Sequence, residues 1–228
     1  MNRQDTMQAK TGLNTFFAKI YGFLALGIGI SALVTFLLFN VFTGFFATIL
    51  SSTGLFLSLC VLEFVLVIYL GAKAQKNPSL AIAGFVLYAV VNGITLSAAL
   101  LLYTQTSIFG AFLSAAATFG AMALVGIFTK KDLSRLGHAA YSALIGIIIA
   151  MLLNVFLLHS SAVELFISLL TVIVFSGITA YDNQNISRVY AQADGQVGTG
   201  VAVFFALQLY LDLINLFLAF LKIFGKNN

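Results

Sequence analysis

Charged residues are scarce in this chain, and their scarcity argues against a water-soluble fold. Only 8% of the 228 residues are Asp, Glu, Lys or Arg, whereas a soluble domain carries charge on about a quarter of its residues. A hydrophobic fraction of 61% and a mean hydropathy of +1.07 point the same way. Most of the outer surface is therefore expected to face lipid, and the bilayer is the first predicted partner.

Residues and motifs that carry enzyme chemistry are nearly absent as well. The single cysteine, Cys60, lies in an apolar run, so it is expected to pack rather than to form a disulfide. His138 and His159 stand far apart and lack the HExxH or Cys pairing of a metal site. We find no nucleophile and base, and we predict that the protein is not an enzyme and has no cofactor. The excess of Lys and Arg over Asp and Glu is explained by the membrane topology described below, so nucleic acid is not a predicted partner.

Long apolar runs are abundant instead, and seven of them meet or approach the length of a membrane span. Crossing a hydrocarbon core of roughly 30 Å takes about 20 helical residues, and a backbone surrounded by lipid must satisfy its own hydrogen bonds. The predicted fold is therefore all-α, a polytopic membrane helix bundle forming one integral membrane domain over residues 1–228. The predicted spans are roughly 16–39, 53–72, 80–103, 108–128, 139–158, 165–181 and 201–224. Pro78, the only proline, is predicted to start the third helix.

Basic residues lie on one side of this predicted topology. Lys and Arg near span ends stay on the cytoplasmic side of a membrane. The loops after spans one, three and five have no basic residue, whereas the N-terminal segment and the loops after spans two, four and six contain Arg3, Lys10, Lys19, Lys73, Lys76, Lys130, Lys131, Arg135 and Arg188. We therefore predict a cytoplasmic N-terminus. Lys222 and Lys226 break the pattern, because seven spans place them outside.

Two carboxylates fall inside predicted spans, and a third, Asp182, directly follows the end of the sixth span. The other four acidic residues lie in loops or at span ends, where water reaches them: Asp5, Asp132, Glu164 and Asp194. An ionised carboxylate near the bilayer centre costs at least about 2.5–3.5 kcal/mol, so such residues usually face the bundle interior and mark an ion or proton path. Glu63, Asp182 and Asp212 are therefore the candidate functional residues.

Asp182 and Asp212 each belong to a polar stripe at helical spacing. Thr179 and Asn185 share a helix face with Asp182, and the stripe of the last span is Gln208, Asp212 and Asn215. If spans six and seven form a hairpin that turns within 194–200, the two aspartates lie at equal depth, roughly 18 Å from the turn. They are deep in the membrane only if the ends of both helices project into the cytoplasm.

Two facing carboxyl groups at low dielectric cannot both ionise cheaply, so they share a proton and can sense pH. When deprotonated they also offer oxygen ligands to calcium, and Asn185, Gln208 and Asn215 can add neutral oxygens. A structural alternative stays open, because a buried aspartate can simply accept hydrogen bonds from another helix and hold the bundle together.

Glu63, Lys222 and Lys73 are secondary candidates. Glu63 lies in an apolar stretch without a polar stripe of its own, which favours a protonated or lysine-paired structural residue. Lys222 is a potential partner if the two lie at the same depth. Tyr88, Asn92 and Thr95 form a further stripe in span three, which either lines a cavity or makes hydrogen bonds between helices.

The motifs "ITAYDNQNI" at 178–186 and "LYLDLINLFLAFLKIFG" at 209–225 carry a resemblance that covers nearly the whole chain. With "NGITLSA" in span three, "FTKKDLSRLG" after span four and Glu63 in span two, the chain resembles bacterial members of the Bax inhibitor family. The resemblance implies a bacterial plasma (inner) membrane location, a fold in which six helices surround the last one, and a pH-sensitive calcium leak governed by an aspartate pair. Asp182 and Asp212 match that pair.

The sequence supports three functions to different degrees. The first is a passive pathway for cations, chiefly calcium, whose gate responds to protonation of Asp182 and Asp212. The alternative is a regulatory protein that binds a membrane protease or a cell-death partner and transports nothing. A proton-coupled transporter is the third, but the broken helices and inverted repeats typical of that class are not seen.

Overall fold

Helices account for almost all of the chain. The computed structural model describes residues 3–225, with side chains from Thr11 onward. Lys226 and the side chains of Arg3 and Lys10, which entered the topology prediction, lie outside that description, as does the side chain of Asp5. The helices are α1 (Arg3–Asn40), α2 (Thr43–Ser51), α3 (Thr53–Lys73), α4 (Pro78–Leu100), α5 (Gln105–Phe128), α6 (Ser134–Leu153), α7 (Ser161–Gln192) and α8 (Thr199–Phe224). No strand occurs between residues 3 and 225.

Seven of these helices are long and apolar enough to cross a membrane, which confirms the predicted fold class and number of spans. The exception is α2, whose nine residues reach only about 13 Å. The sequence prediction left this segment outside the spans. The last span is the most buried of the seven, since 61% of its most apolar 18-residue stretch lies inside the protein.

Local signals explain where several helices begin. Pro78 occupies the first turn of α4, as predicted, because its fixed φ suits that turn and its missing N–H has no helical partner there. The hydroxyl of Thr104 accepts a hydrogen bond from the Ser107 amide at 3.2 Å and caps α5. At its C-terminal end, α6 widens into a π-helical turn over Asn154–Leu158. His159 then adopts a left-handed conformation with a φ of 48°.

The boundary of the sixth span differs from the prediction. The apolar run ends near residue 181, but α7 continues as a helix to Gln192 and therefore includes Asp182. Its polar extension finds hydrogen-bond partners on the loop between α5 and α6, which is why the helix continues beyond its apolar run. Asp182 lies 10 residues before the end of α7 and Asp212 lies 13 residues after the start of α8, about 15 and 20 Å of helix. Both aspartates thus lie well inside their helices.

The chain divides into two compact units. Unit one comprises the chain up to Leu102 together with Tyr190–Tyr210, and unit two comprises Tyr103–Val189 together with the chain from Leu211 onward. In unit one the buried ring of Tyr210 packs edge-on against Phe85 and Tyr88. In unit two, Gly126 of α5 lies directly against the backbone of Ala180 in α7, a contact that leaves no room for a side chain.

Candidate functional site

Asp182 and Asp212 are the two buried carboxylates of unit two. Asp182 is 1% exposed and Asp212 is 3% exposed, although aspartate is almost never fully buried unless it is paired. Helices α7 and α8 bring the two carboxyl groups close enough to interact electrostatically. The two residues that the hairpin argument placed at similar depth therefore lie within electrostatic range of each other in unit two.

Tyr141 of α6 is the hydrogen-bond partner of Asp182. Its hydroxyl lies 3.0 Å from Oδ1 and 3.1 Å from Oδ2, so it can donate to either carboxylate oxygen. The sequence analysis did not single out Tyr141, and the only available signal was a polar-tipped aromatic residue within an apolar span. This bond is what the structural alternative expects of a buried aspartate.

Asp212 lies in a different environment. Its Oδ2 atom is buried and has no hydrogen-bond partner. Thr179 stands beside the carboxyl group, while its own hydroxyl donates to the carbonyl oxygen of Phe175 at 2.7 Å. A buried, unpartnered carboxylate oxygen is costly, and a bound proton or cation removes that cost. The pair therefore suits one proton held between two carboxyl groups.

The three predicted amide ligands differ in burial and in hydrogen bonding. Asn185 is half-buried on α7, and Asn215 is half-buried on α8 with its Nδ2 donating to the Leu211 carbonyl oxygen at 2.8 Å. Gln208 belongs to unit one, where its buried Oε1 has no partner. Within residues 3–225, no group of three or more His, Cys, Asp or Glu residues is arranged to hold a metal ion.

Glu63 is bound by α4 rather than by a lysine. Its Oε1 accepts hydrogen bonds from Asn92 Nδ2 at 3.1 Å and from Thr95 Oγ1 at 2.6 Å. The stripe predicted in span three thus makes bonds between helices. Tyr210 extends the network, because its hydroxyl donates to Asn92 Oδ1 at 2.7 Å.

The suggested pairing of Lys222 with Glu63 was wrong. Lys222 Nζ lies 2.8 Å from Oε1 of Glu164 in unit two. Glu164 is in the first turn of α7 and remains accessible to water, so it offers an acceptor at a span end, whereas Glu63 occurs in the middle of its span. Lys73 is exposed at the end of α3.

A second polar cluster attaches the loop after α5 to the extension of α7. Arg188 NH2 lies 2.6 Å from Asp132 Oδ1, and Arg188 also donates to Ser134 and to Gln184. Gln184 in turn accepts from the Leu133 amide at 2.8 Å and donates to the Lys131 carbonyl oxygen at 2.8 Å. The sequence analysis used Arg188 only to orient the chain, because the loop partners were not recognisable from spacing.

This cluster predicts an acid-sensitive loop. The amide and hydroxyl of Ser134, followed by Arg188, hold the pKa of Asp132 below its usual value. A group with a lowered folded-state pKa stabilises the fold above its unfolded pKa, and that contribution is lost as the pH falls through the folded value. We expect the hydrogen-exchange protection factor of the Ser134 amide to decrease below the ordinary aspartate range of about 3.9. The Asp132→Asn variant should lack this pH response, and identical profiles for the two proteins would contradict the prediction.

Comparisons with known proteins agree with this architecture of membrane-spanning helices. Residues 13–228 match the family model described as inhibitor of apoptosis-promoting Bax1. An uncharacterized membrane protein of Streptococcus pyogenes serotype M3, SpyM3_0260, is 45% identical over 97% of this chain and 96% of its own length. The inner membrane protein YbhL of Escherichia coli K12 is 38% identical over 98% and 97%. A Borreliella burgdorferi protein is 39% identical over 93% and 92%.

These matches define first a class and then a family. The chain is a multi-pass helical membrane protein whose relatives are bacterial membrane proteins. It belongs to the Bax inhibitor family, which confirms the resemblance drawn from its motifs. The cytoplasmic position of the N-terminus stays a prediction.

Proposed function

We propose that the protein is a passive, pH-sensitive leak for cations, chiefly calcium, and that Asp182 and Asp212 form its proton-responsive gate. The observation that carries this proposal is the unpartnered Oδ2 of Asp212, buried beside a second carboxyl group. A purely structural aspartate would be expected to accept a hydrogen bond from a neighbouring helix, as Asp182 does from the Tyr141 hydroxyl. The orphan oxygen is a position where a proton can bind and leave.

The gate follows two-state logic. A proton shifts an equilibrium between closed and open arrangements only by its difference in affinity for the two. Calcium prefers carboxylate and amide oxygens, so it competes with protons for the same pair. Two carboxylates without a third acidic ligand hold calcium weakly, and weak binding suits an ion that must leave again.

The direct test is calcium flux into liposomes that contain the purified protein, measured with an enclosed indicator across about pH 5 to 8. We expect flux above that of protein-free liposomes and a clear change with pH. The Asp194→Asn variant is the matched control, because Asp194 is exposed on the turn between α7 and α8. A flat trace equal to that of empty liposomes would refute the leak.

Regulation of a membrane-protein partner is the second candidate function. The description of the matching family, inhibition of an apoptosis-promoting protein, favours it. This function predicts that replacing the loop at 129–133 abolishes the cellular activity while replacing Asp182 does not. The leak predicts the reverse.

A further inference from the structure

Glu63 is the remaining carboxylate inside a membrane span, and the proposed gate does not use it. It is the central residue of α3, with ten residues on either side. At 1.5 Å per residue it lies about 15 Å from each helix end, which is half of a hydrocarbon core of roughly 30 Å. An acidic side chain is therefore held at the depth where its charge would be least stable.

The hydrogen bonds of Glu63 are asymmetric. Asn92 and Thr95 both donate to Oε1, whereas Oε2 receives no hydrogen bond from the described residues. Oε2 is also not enclosed, since the fully buried unpartnered side-chain atoms of the described residues belong to Gln208 and Asp212. A carbonyl oxygen that accepts two bonds, beside a second oxygen without a donor, is the pattern of a neutral carboxyl group.

Glu63 is itself only half-buried, and the helix around it is apolar and largely exposed. Only 11% of the most apolar 18-residue stretch of α3 is buried. The side chains next to Glu63 in the sequence, Leu62 and Phe64, are 37% and 68% exposed. In a protein whose helices cross a bilayer, such exposure means contact with acyl chains. A small apolar molecule dissolved in the bilayer can therefore reach Oε2, whereas a charged one in water cannot.

Among the side chains that the structure describes, no basic group balances Glu63. The titratable groups that face it are Cys60 on its own helix, Tyr88 on α4 and Tyr210 on α8, and none of these carries a positive charge. The network continues to α1, where Ser31 Oγ lies 2.7 Å from the Tyr210 hydroxyl. Both ion pairs among the described side chains lie elsewhere, in Asp132–Arg188 and Glu164–Lys222.

We propose that Glu63 is a second proton-binding site, reached from the hydrocarbon phase and separate from the aspartate pair. The proton sits on Oε2, while Oε1 stays bound to α4. The site neither requires nor implies ion flux, so it stands or falls independently of the leak.

A hydrophobic carbodiimide, dicyclohexylcarbodiimide, tests this site chemically. A protonated carboxyl group gives its proton to a carbodiimide nitrogen, and the carboxylate oxygen then bonds to the central carbon. The resulting O-acylisourea rearranges to a stable N-acylurea by acyl migration. The whole reagent is added, nothing leaves and no redox partner is needed. Peptide mass mapping of the full-length protein in liposomes locates the adduct.

We expect the adduct on Glu63 at neutral and mildly acidic pH, decreasing about tenfold per pH unit once the carboxyl group ionises. Glu164 is the built-in control, because it is the only other glutamate and lies in water against Lys222. It should react with a water-soluble carbodiimide and not with the hydrophobic one. In Glu63→Gln, whose amide oxygen can still accept from α4, the adduct should be lost.

Two results would overturn the proposal, and both can be read from the wild-type protein alone. If the hydrophobic reagent gives no adduct on Glu63 at any pH from about 5 to 9, the residue is ionised or out of reach. If the water-soluble reagent modifies Glu63 faster than the hydrophobic one, the carboxyl group faces water. Calcium flux need not be measured, so failure here leaves the proposed leak untouched.

Discussion

The Asp212→Asn substitution is expected to flatten the pH dependence of calcium flux. The amide keeps the size of the side chain but cannot take up or release the proton that the buried Oδ2 accommodates. A binding difference of one pKa unit between two states shifts their ratio tenfold. We therefore expect the ratio of flux at the two ends of the pH range to fall by about tenfold or more. Stopped-flow flux into liposomes with matched protein content measures that ratio.

Asp182→Asn and Tyr141→Phe separate the contributions of the pair. The first removes the partner charge and should also flatten the profile. The second removes the hydroxyl that reaches both Asp182 oxygens and should move the profile along the pH axis without abolishing it. Asp194→Asn should behave as wild type, because Asp194 has a φ of 48° that asparagine also tolerates. If the pH dependence of calcium flux were unchanged in both aspartate variants, the proposed gate would be wrong.

The Gly126→Ala substitution is expected to destabilise unit two. A Cβ atom there would overlap the carbonyl oxygen of Ala180 and press on Asn183, and the obstacle is backbone that cannot rotate away. Forcing atoms into a filled contact costs about 1–3 kcal/mol. The contact lies beside Asp182, so the change should also disturb the aspartate pair. The midpoint of thermal or denaturant unfolding in detergent measures the loss.

Gly120→Ala provides the matched comparison on the same helix. Nothing lies within 4 Å of a Cβ placed at Gly120, so the substitution should gain helix propensity of up to about 1 kcal/mol without a clash. The two variants make the same chemical change in α5 with opposite expected signs. Equal shifts of the unfolding midpoint would mean that the contact between Gly126 and Ala180 is not tight.

The spans and the aspartate pair could be predicted because their signals are local. Apolar length alone identifies a membrane helix, and a charge inside one stands out against its surroundings. The spacing around Asp182 and Asp212 then gave one helix face to each residue. The only neighbour relation that these inferences used is the hairpin of spans six and seven, which are consecutive in the chain.

The features that the sequence missed all depend on which helices are neighbours. Tyr141 gains its role only because α6 packs against α7 at the level of Asp182. Lys222 found its acceptor in Glu164 because the ends of α7 and α8 meet, which counting basic residues does not reveal. The helical extension beyond residue 181 is likewise supported by a loop some fifty residues earlier in the chain. Local hydropathy contains no record of such contacts.

The position of Pro78 limits how the bundle can move. Helices that bend sharply usually do so at a proline inside the helix, but the only proline of this chain lies in the first turn of α4. The spans therefore have no proline hinge, and apart from the π-helical turn at the end of α6 each is expected to tilt, slide or rotate as a rigid rod. Rearrangement would be concentrated in the short connections between helices, such as those at 74–77, 101–104, 129–133 and 193–198. A crosslink across one of these should therefore restrict the motion of the protein more than a substitution within a span.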